Sequence, residues 1–289
     1  RYGTVTGVQT CALPISYDEK TFFSKIGVLD GTPELRGSVP FNKVIGYTVS
    51  KIRPNFFSNV DNKYYFSASD RLIHFGASGL TGVWAEENTR EAIYDAFRRK
   101  ETFATSGPRI KIRFFIGDKL SSVDINNENL ISYAYSNATT MGGDYDSSNS
   151  SNPDFLVWAF ADPLGNPLQR IQIIKGWIEE GLHQEKVFDI ACSDGLQVDS
   201  VTNRCPDNNA KVNLNDCSTS PNTGDMELKV LWNDPEFNAA QNAFYYVRVL
   251  ENPSCRWSTW DAIRVGKTPR SDIPPVIQER AWSSPIWVK

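Results

Sequence analysis

The sequence predicts an α+β protein in which one amphipathic helix leads into a β-rich unit. Between residues 88 and 100, apolar residues recur at the helical period, with acidic residues before them and basic residues at the end. Residues 106–108 read Ser-Gly-Pro, a turn signal, and beyond them the apolar period is two, as in a strand. Short segments rich in β-branched and aromatic residues follow. These observations place a junction between two structural units just before residue 106.

The helix carries its own start signal. Asn88 is the predicted N-cap, and Glu91, three residues later, completes a capping-box pattern. The residues that form one apolar stripe are Ala92, Ile93, Ala96 and Phe97. This spacing predicts an amphipathic helix.

The β-rich unit is predicted from six candidate strands. They cover residues 110–116, 155–160, 168–174, 186–191, 226–231 and 244–250. Polar segments at residues 146–153 and 162–167 predict loops between them. Short strands at such intervals are typical of a β-sandwich-like unit, here residues 106–289. Residues 17–75 show no long periodic element and predict loops with a few short helices.

The amino-acid composition limits the classes of protein to which this chain can belong. The chain has 289 residues, 40% of them hydrophobic and 12% aromatic, as expected of a globular protein that buries a large core. Its formal charge of −4 gives no support to a nucleic-acid surface. No apolar run is long enough to cross a bilayer, so no membrane span is predicted.

One long run resembles a known family. Residues 81–110, TGVWAEENTREAIYDAFRRKETFATSGPRI, are similar to the bacterial domain of unknown function 3604 family, and so are LQRIQIIKGW, FYYVRVLENPSCRWSTWDA and QERAWSSPIW further on. That family resembles the PHP (polymerase and histidinol phosphatase) metallohydrolases. The resemblance implies that residues 17–105 are the C-terminal remnant of a PHP-type (β/α) barrel, followed by the β-sandwich-like domain.

The resemblance also implies a reaction for an intact parent protein. Water activated by zinc, manganese or iron would hydrolyse a phosphoester, ester or amide bond of a small-molecule substrate. The chain has only two histidines, His74 and His183, neither in a His-x-His or Asp-x-His motif. We therefore expect this fragment to bind no metal and to be inactive. The alternative is a periplasmic or secreted ligand-binding module whose aromatic strands present the ligand surface.

The first 16 residues have no signal-peptide pattern. Residues 5–15, VTGVQTCALPI, resemble one reading frame of a sequencing-library adaptor, so residues 1–16 are interpreted as non-native. The alternative is a genuine short strand containing Val5, Val8 and Cys11.

The other four cysteines, Cys192, Cys205, Cys217 and Cys255, flank or follow a polar segment that cannot fold by apolar burial alone. We expect two disulfides, and hence a periplasmic or secreted location. Four cysteines allow three pairings, and spacing alone does not choose among them. We favour Cys192–Cys205 with Cys217–Cys255.

The candidate site residues in this sequence are few. Glu86 and Glu87 precede the helix, at a loop that the resemblance to the family places facing the barrel. The favoured interpretation of these two residues is helix-end electrostatics. Arg109 follows the turn at the junction between the two units. Its guanidinium is a candidate to bind a carboxylate or phosphate group, and the alternative is an ion pair between the two domains. A calcium site in the cysteine-rich segment is a further hypothesis, because the segment offers oxygen ligands. Its candidates are Asp194, Asp199, Asp207, Asn209, Asn213 and Asp216.

Overall fold

The structure is a computed structural model that describes residues 4–8, 40, 42–52, 57–66, 79–148, 150 and 152–289. These residues are mostly β, with 17 strands and four α-helices. The strands in chain order are β1 (Thr4–Val8), β2 (Phe57–Val60), β3 (Lys63–Phe66), β4 (Leu80–Ala85), β5 (Thr102–Thr105), β6 (Lys111–Gly117), β7 (Thr139–Thr140), β8 (Asp144–Tyr145), β9 (Asp154–Phe160), β10 (Leu168–Glu179), β11 (Leu182–Cys192), β12 (Glu227–Asn233), β13 (Ala243–Glu251), β14 (Ser254–Cys255), β15 (Val276–Ile277), β16 (Arg280–Ser283) and β17 (Ile286–Val288). The helices are α1 (Lys43–Ile52), α2 (Arg90–Arg98), α3 (Leu130–Asn137) and α4 (Trp257–Arg264).

Two sheets organise the described chain. The large sheet has nine strands in the order β1-β4-β5-β16-β13-β10-β11, and β17 joins it by pairing with β13 and with β8. The small sheet has the order β12-β9-β6-β7. Neighbours in both sheets are antiparallel, as in the ten-residue ladder of β10 with β11, while the β17–β8 pair is parallel. Two short hairpins, β2–β3 and β14–β15, form separate ladders.

The main core lies between the inner faces of the two sheets. Alternate residues of β6 and β9 on the small sheet pack against alternate residues of β10, β11 and β13 on the large sheet. Fully buried examples are Ile112, Phe114, Phe155, Val157, Ile171, Ile173, Val247 and Val249. Burying each such side chain contributes roughly 1.5–3 kcal/mol. The period-two pattern of the sequence therefore becomes one apolar face per sheet.

A second layer covers the other face of the small sheet. Phe115 and Leu156, which alternate with the main-core residues, pack against Leu130 and Ala134 of α3 and against Leu120 in a short 3-10 turn. Because both faces of β6 are covered, its residues from Ile112 to Gly117 are all buried.

The predicted amphipathic helix is confirmed as α2. Ala96, with Ala92 and Ile93 beside it, packs on Val83 and Ala85 of β4, as the apolar stripe predicts. Phe97, the fourth member of the stripe, is 37% exposed.

The N-cap of α2 is Thr89, one residue later than the predicted Asn88. The hydroxyl oxygen of Thr89 accepts the backbone N–H of Ala92 at 3.3 Å, and its backbone is extended at φ −116° and ψ 157°. Thr and Asn both cap helices well, so sequence pattern alone does not decide between adjacent candidates.

The predicted α+β fold with a (β/α) barrel remnant at residues 17–105 is wrong. In a (β/α) barrel each strand, its helix and the next strand form a parallel unit. Here β4, α2 and β5 are consecutive, yet β4 and β5 pair antiparallel, with Leu80 opposite Thr105. The described residues form no closed barrel and consist mostly of strands in several sheets.

The large sheet also crosses the predicted domain boundary. β5 pairs with β16, with Phe103 opposite Ser283, so strands from both sides of residue 105 share one sheet. Division into residues 17–105 and 106–289 stays a prediction.

The six strands predicted after Arg109 are confirmed as β6, β9, β10, β11, β12 and β13. The structure extends β10 and β11 into a long hairpin, closed at Glu180 and Gly181, which both have positive φ. In residues 17–75, helix α1 agrees with the prediction of short helices, whereas the β2–β3 hairpin was not predicted.

The cysteine-rich segment, residues 193–226, has isolated β-bridges but no helix or longer strand. Two disulfides, Cys192–Cys205 and Cys217–Cys255, hold it, each with Cα atoms 5.6 Å apart. The favoured pairing is thus confirmed. The bonds are consistent with an oxidising environment outside the cytoplasm. None of the helices in the described part is long and apolar enough to span a membrane.

At the N-terminus, β1 pairs with β4 through five residue pairs, from Thr4 opposite Ala85 to Val8 opposite Thr81. The other residues of the segment 1–16 lie outside the described residues. The paired backbone agrees with the alternative of a short strand, and an adaptor origin stays a prediction.

Candidate functional site

The register of four strands brings one row of residues together on the outer face of the large sheet. Gly176 of β10 stands opposite Glu185 of β11 and Phe244 of β13, and Phe244 stands opposite Trp287 of β17. Side chains alternate between the two faces of a strand. The residues that alternate with this row are buried in the main core: Ala243, Tyr245, Ile286 and Val288. The row therefore points away from the core.

Gly176 makes room for an aromatic ring in this row. A Cβ atom at Gly176 would lie 2.3 Å from the ring of Phe244, so the ring lies directly over the glycine backbone. Glycine within a strand commonly marks such a close approach. The ring of Phe244 is thereby held flat against the sheet.

Two further rings extend this surface. The ring centroid of Trp287 lies 5.3 Å from that of Phe244, and the ring of Tyr246 lies 6.4 Å from it with planes only 14° apart. Trp287 is 43% exposed, a large fraction for tryptophan. Three aromatic side chains therefore form a continuous, partly open platform.

Two rings of the platform, those of Phe244 and Trp287, line an open groove of about 690 Å³, here called the aromatic groove. The groove is lined by one end of the β10–β11 hairpin, by the beginning of β13 and by the end of β17. The main lining residues are Gly176, Ile178, His183, Asn242, Phe244 and Trp287. This volume is within the range of pockets that bind small molecules, roughly 300–1,000 Å³.

Polar side chains stand at the rim of the aromatic groove. His183, Glu185 and Asn242 line it and are exposed. Lys289 also lines it, and its Nζ is 2.9 Å from Oδ2 of Asp144. The groove thus combines an apolar floor with hydrogen-bond donors and acceptors at its edge, the usual composition of a ligand site.

Tyr246 keeps its phenolic proton in this setting. Burial, and then the negative charge of Glu185, raise the pKa of Tyr246 above its usual value, while the charge of Arg248 acts in the opposite direction. A neutral phenol both donates and accepts hydrogen bonds. The platform therefore includes one polar hydroxyl at neutral pH.

Beneath the platform, a buried ion pair fixes the strands that carry it. Lys175 and Tyr245 flank the facing pair Gly176 and Phe244 in sequence, and their side chains point into the core. The Nζ of Lys175 lies 2.7 Å from Oδ2 of Asp234, which also accepts the hydroxyl of Tyr245 at 2.8 Å. Burial, followed by the charge of Asp234, raises the pKa of Tyr245, so this hydroxyl stays protonated. The cluster ties β10 and β13 to the turn after β12.

The structure does not bring the predicted site residues together. Glu86 and Glu87 follow the end of β4 and are exposed. Arg109 follows β5 at the opposite end of the β4–β5 ladder, where Thr105 faces Leu80. Its guanidinium is exposed, and its backbone N–H donates to Oδ2 of Asp162 at 2.7 Å. The roles proposed for these three residues stay predictions.

The described residues do not form the metal centre that the resemblance implies. A PHP-type centre needs several histidines together with carboxylates. In the part of the chain that the structure describes, no group of three or more His, Cys, Asp or Glu side chains is placed to hold a metal ion. His183 stands at the rim of the aromatic groove, and His74 lies outside the described residues. The described residues do not supply the donor set of a multinuclear centre.

Three of the calcium candidates accept hydrogen bonds within their own turns. Oδ1 of Asp199 accepts the backbone N–H of Val201, and Asp207 and Asp216 cap their own turns in the same way. Asp194 accepts the backbone N–H of Gly224 at 2.7 Å. These bonds explain why a segment with little apolar burial is rich in Asp and Asn.

The aromatic groove was missed by sequence reasoning, although part of its signal was present. Gly176 interrupts a strand pattern, which suggests a close approach of another group. Phe244 and Tyr246 alternate with core residues of the same strand. Their neighbour Trp287 is distant in sequence, and only the strand register shows that the three share one face.

The fold and the groove define a two-sheet, disulfide-linked β-rich protein with an aromatic site on one outer face. The sequence model of the family described as "Protein of unknown function (DUF3604)" matches residues 1–289, so the chain belongs to this family. A search of curated proteins and a search of solved structures each found no significant match.

Proposed function

We propose that the β-rich part of this chain is a ligand-binding module of a periplasmic or secreted protein, and that its ligand occupies the aromatic groove. The observation that carries this proposal is the platform of Phe244, Tyr246 and Trp287 on an outer sheet face, since aromatic surface there is available to a partner. The two disulfides support a location outside the cytoplasm.

Residues beneath the platform hold the proposed binding site in one conformation. Phe244 is seated on Gly176, and β10 and β13 are held from below by Lys175, Asp234 and Tyr245. A ring that is already in place loses little conformational entropy when a ligand stacks on it, which favours binding.

A neutral fluorescent probe of apolar sites, N-phenyl-1-naphthylamine, tests the proposal. We expect saturable binding to the intact chain and roughly tenfold weaker binding to Trp287→Ala, because loss of about 1.4 kcal/mol of ring contact is a factor of ten. The control is Tyr94→Ala, which removes a ring that is 61% exposed on α2, a helix that contributes no residue to the lining of the groove. Equal affinity in all three proteins would refute the proposal.

The second proposal concerns an intact parent protein and rests on the resemblance of residues 81–110. We propose that such a parent hydrolyses a phosphoester, ester or amide bond with a divalent metal, whose ligands lie outside the described residues. Metal analysis and hydrolase screening of this chain beside an extended parent would test it. An extended parent that carries Asp-x-His and His-x-His motifs but binds no metal would contradict it.

A further inference from the structure

We infer that the ligand of the aromatic groove is a neutral oligosaccharide whose rings stack on Trp287 and Phe244. This inference rests on the proposed binding function and adds the class of ligand. It is carried by the shape of the platform, by the mixture of polar groups at the rim and by the balance of charge around the groove.

The platform has the shape that a chain of sugar rings requires. A pyranose has flat faces of C–H groups, and these pack on the faces of aromatic rings. Phe244 and Tyr246 are two residues apart on one strand, so their rings follow each other along the sheet with nearly parallel planes. Trp287 adds a ring on the neighbouring strand, with its centroid 5.3 Å from that of Phe244 and its plane tilted by 51°, so successive sugar rings would stack on them at an angle to each other. Adjacent rings offer stacking positions to more than one sugar residue.

The rim has the polar groups that sugar hydroxyls require. Each hydroxyl both donates and accepts, so it pairs best with a mixed set of partners. The Glu185 carboxylate accepts, the Asn242 amide both donates and accepts, and the His183 imidazole does the same when neutral. The groups border the apolar floor, which is where the hydroxyl edge of a stacked sugar lies.

The charge around the groove favours a neutral ligand. An anionic ligand would approach Glu185, and the ammonium group of Lys289 already faces Asp144 at 2.9 Å. A cationic ligand is usually held in a cage of aromatic rings or by several carboxylates. Among the described residues that line the groove, Glu185 is the one with a carboxylate side chain.

The open form of the groove argues against a lipid or a purely apolar ligand. Pockets for such molecules bury most of the ligand surface, roughly 70–90% or more. Trp287 is 43% exposed and Ile178 is 71% exposed, so the groove covers only one side of a ligand. A linear oligosaccharide can lie along such an open floor with its other side in water.

The experiment uses the intact disulfide-bonded chain and isothermal titration with neutral hexasaccharides of glucose, xylose, mannose and N-acetylglucosamine. At least one should bind, and its affinity should fall at least tenfold in Trp287→Ala while Tyr94→Ala binds as the unaltered chain does. Glu185→Gln should weaken binding less, because the amide still accepts a hydrogen bond. Circular dichroism and thermal unfolding confirm that each variant is folded.

The outcomes separate this inference from the proposed function. If no hexasaccharide binds while N-phenyl-1-naphthylamine binds in a Trp287-dependent way, the groove binds a ligand of another class and the inference is wrong. If neither binds, both are wrong. Sugar binding that persists unchanged in Trp287→Ala would place the site elsewhere and overturn the inference. Concentration-dependent dimerisation that Trp287→Ala abolishes would also overturn it, because a second copy would then cover the platform.

Discussion

At the scale of single residues, Glu251 is a buried carboxyl group that the folded protein holds in its neutral form. It is 1% exposed, and its Oε1 has no hydrogen-bond partner among the described residues. Burial is the main cause that raises the pKa of Glu251 to about 8; the charges of Glu279 and Asp162 act in the same direction, and a backbone hydrogen bond from Asn166 opposes them. The neutral acid is therefore the form that the folded protein holds at pH 7.

This raised pKa predicts how stability depends on pH. An unfolded glutamate loses its proton near pH 4.3, so between that pH and about 8 the folded state binds more protons than the unfolded state. The contribution of Glu251 to the free energy of unfolding is fully present below this window and falls as pH rises, by at most about 1.4 kcal/mol per pH unit. Glu251→Gln removes the ionisation and should flatten the dependence. Urea unfolding of both proteins at pH 5 and pH 8 measures this; identical pH dependence would contradict it.

At the scale of elements, the ion pair beneath the groove should matter far more than the exposed pair beside it. Lys175 and Asp234 are almost fully buried, and removing one partner leaves a buried charge, with a destabilisation of roughly 3–5 kcal/mol. The matched control is Glu236, which pairs with Lys186 at side-chain exposures of 54% and 34%. Such a pair contributes about 0–1 kcal/mol. Chemical denaturation of Asp234→Ala and Glu236→Ala should show this difference, and equal losses would refute it.

The two disulfides should contribute unequally. Cys192–Cys205 closes a loop with a sequence separation of 13, and Cys217–Cys255 one of 38. Chain-entropy arguments give about 3 kcal/mol for the shorter loop and about 4 kcal/mol for the longer one. Paired Cys→Ser variants, unfolded in denaturant, should lose stability in this order.

Thiol titration of the unreduced protein should find none of these four cysteines free. Four free thiols would contradict the pairing.

Helices and strands were predictable where one local pattern decides them. The stripe of Ala92, Ile93 and Ala96 identified α2, and alternation in residues 244–250 identified β13. The barrel prediction failed because a single helix between two strands fits parallel or antiparallel pairing. The choice between parallel and antiparallel pairing depended on β16. This strand pairs with β5 although it lies about 175 residues further along the chain. The groove could not be predicted for the same reason, because only the register of β13 with β17 places Trp287 beside Phe244.

At the scale of the whole molecule, the large sheet joins the beginning, middle and end of the described chain. β1, β10 and β17 all belong to it, so its stability depends on pairings between distant segments. The adaptor hypothesis for residues 1–16 predicts that the genomic sequence encodes other residues there. It also predicts that deleting them leaves the midpoint of thermal unfolding unchanged. A genomic clone that encodes them, together with a lower midpoint after deletion, would establish β1 as a native strand.

Hydrogen exchange locates the surface that a ligand covers, and we expect that surface to be the aromatic groove on the large sheet. Exchange of backbone amides is measured on the intact chain with and without saturating N-phenyl-1-naphthylamine. We expect protection in the end of the β10–β11 hairpin around Ile178 and His183, in β13 near Phe244 and in β17, because these elements line the groove. Protection confined to the cysteine-rich segment, or to α2 and β4, with none in these strands, would contradict it.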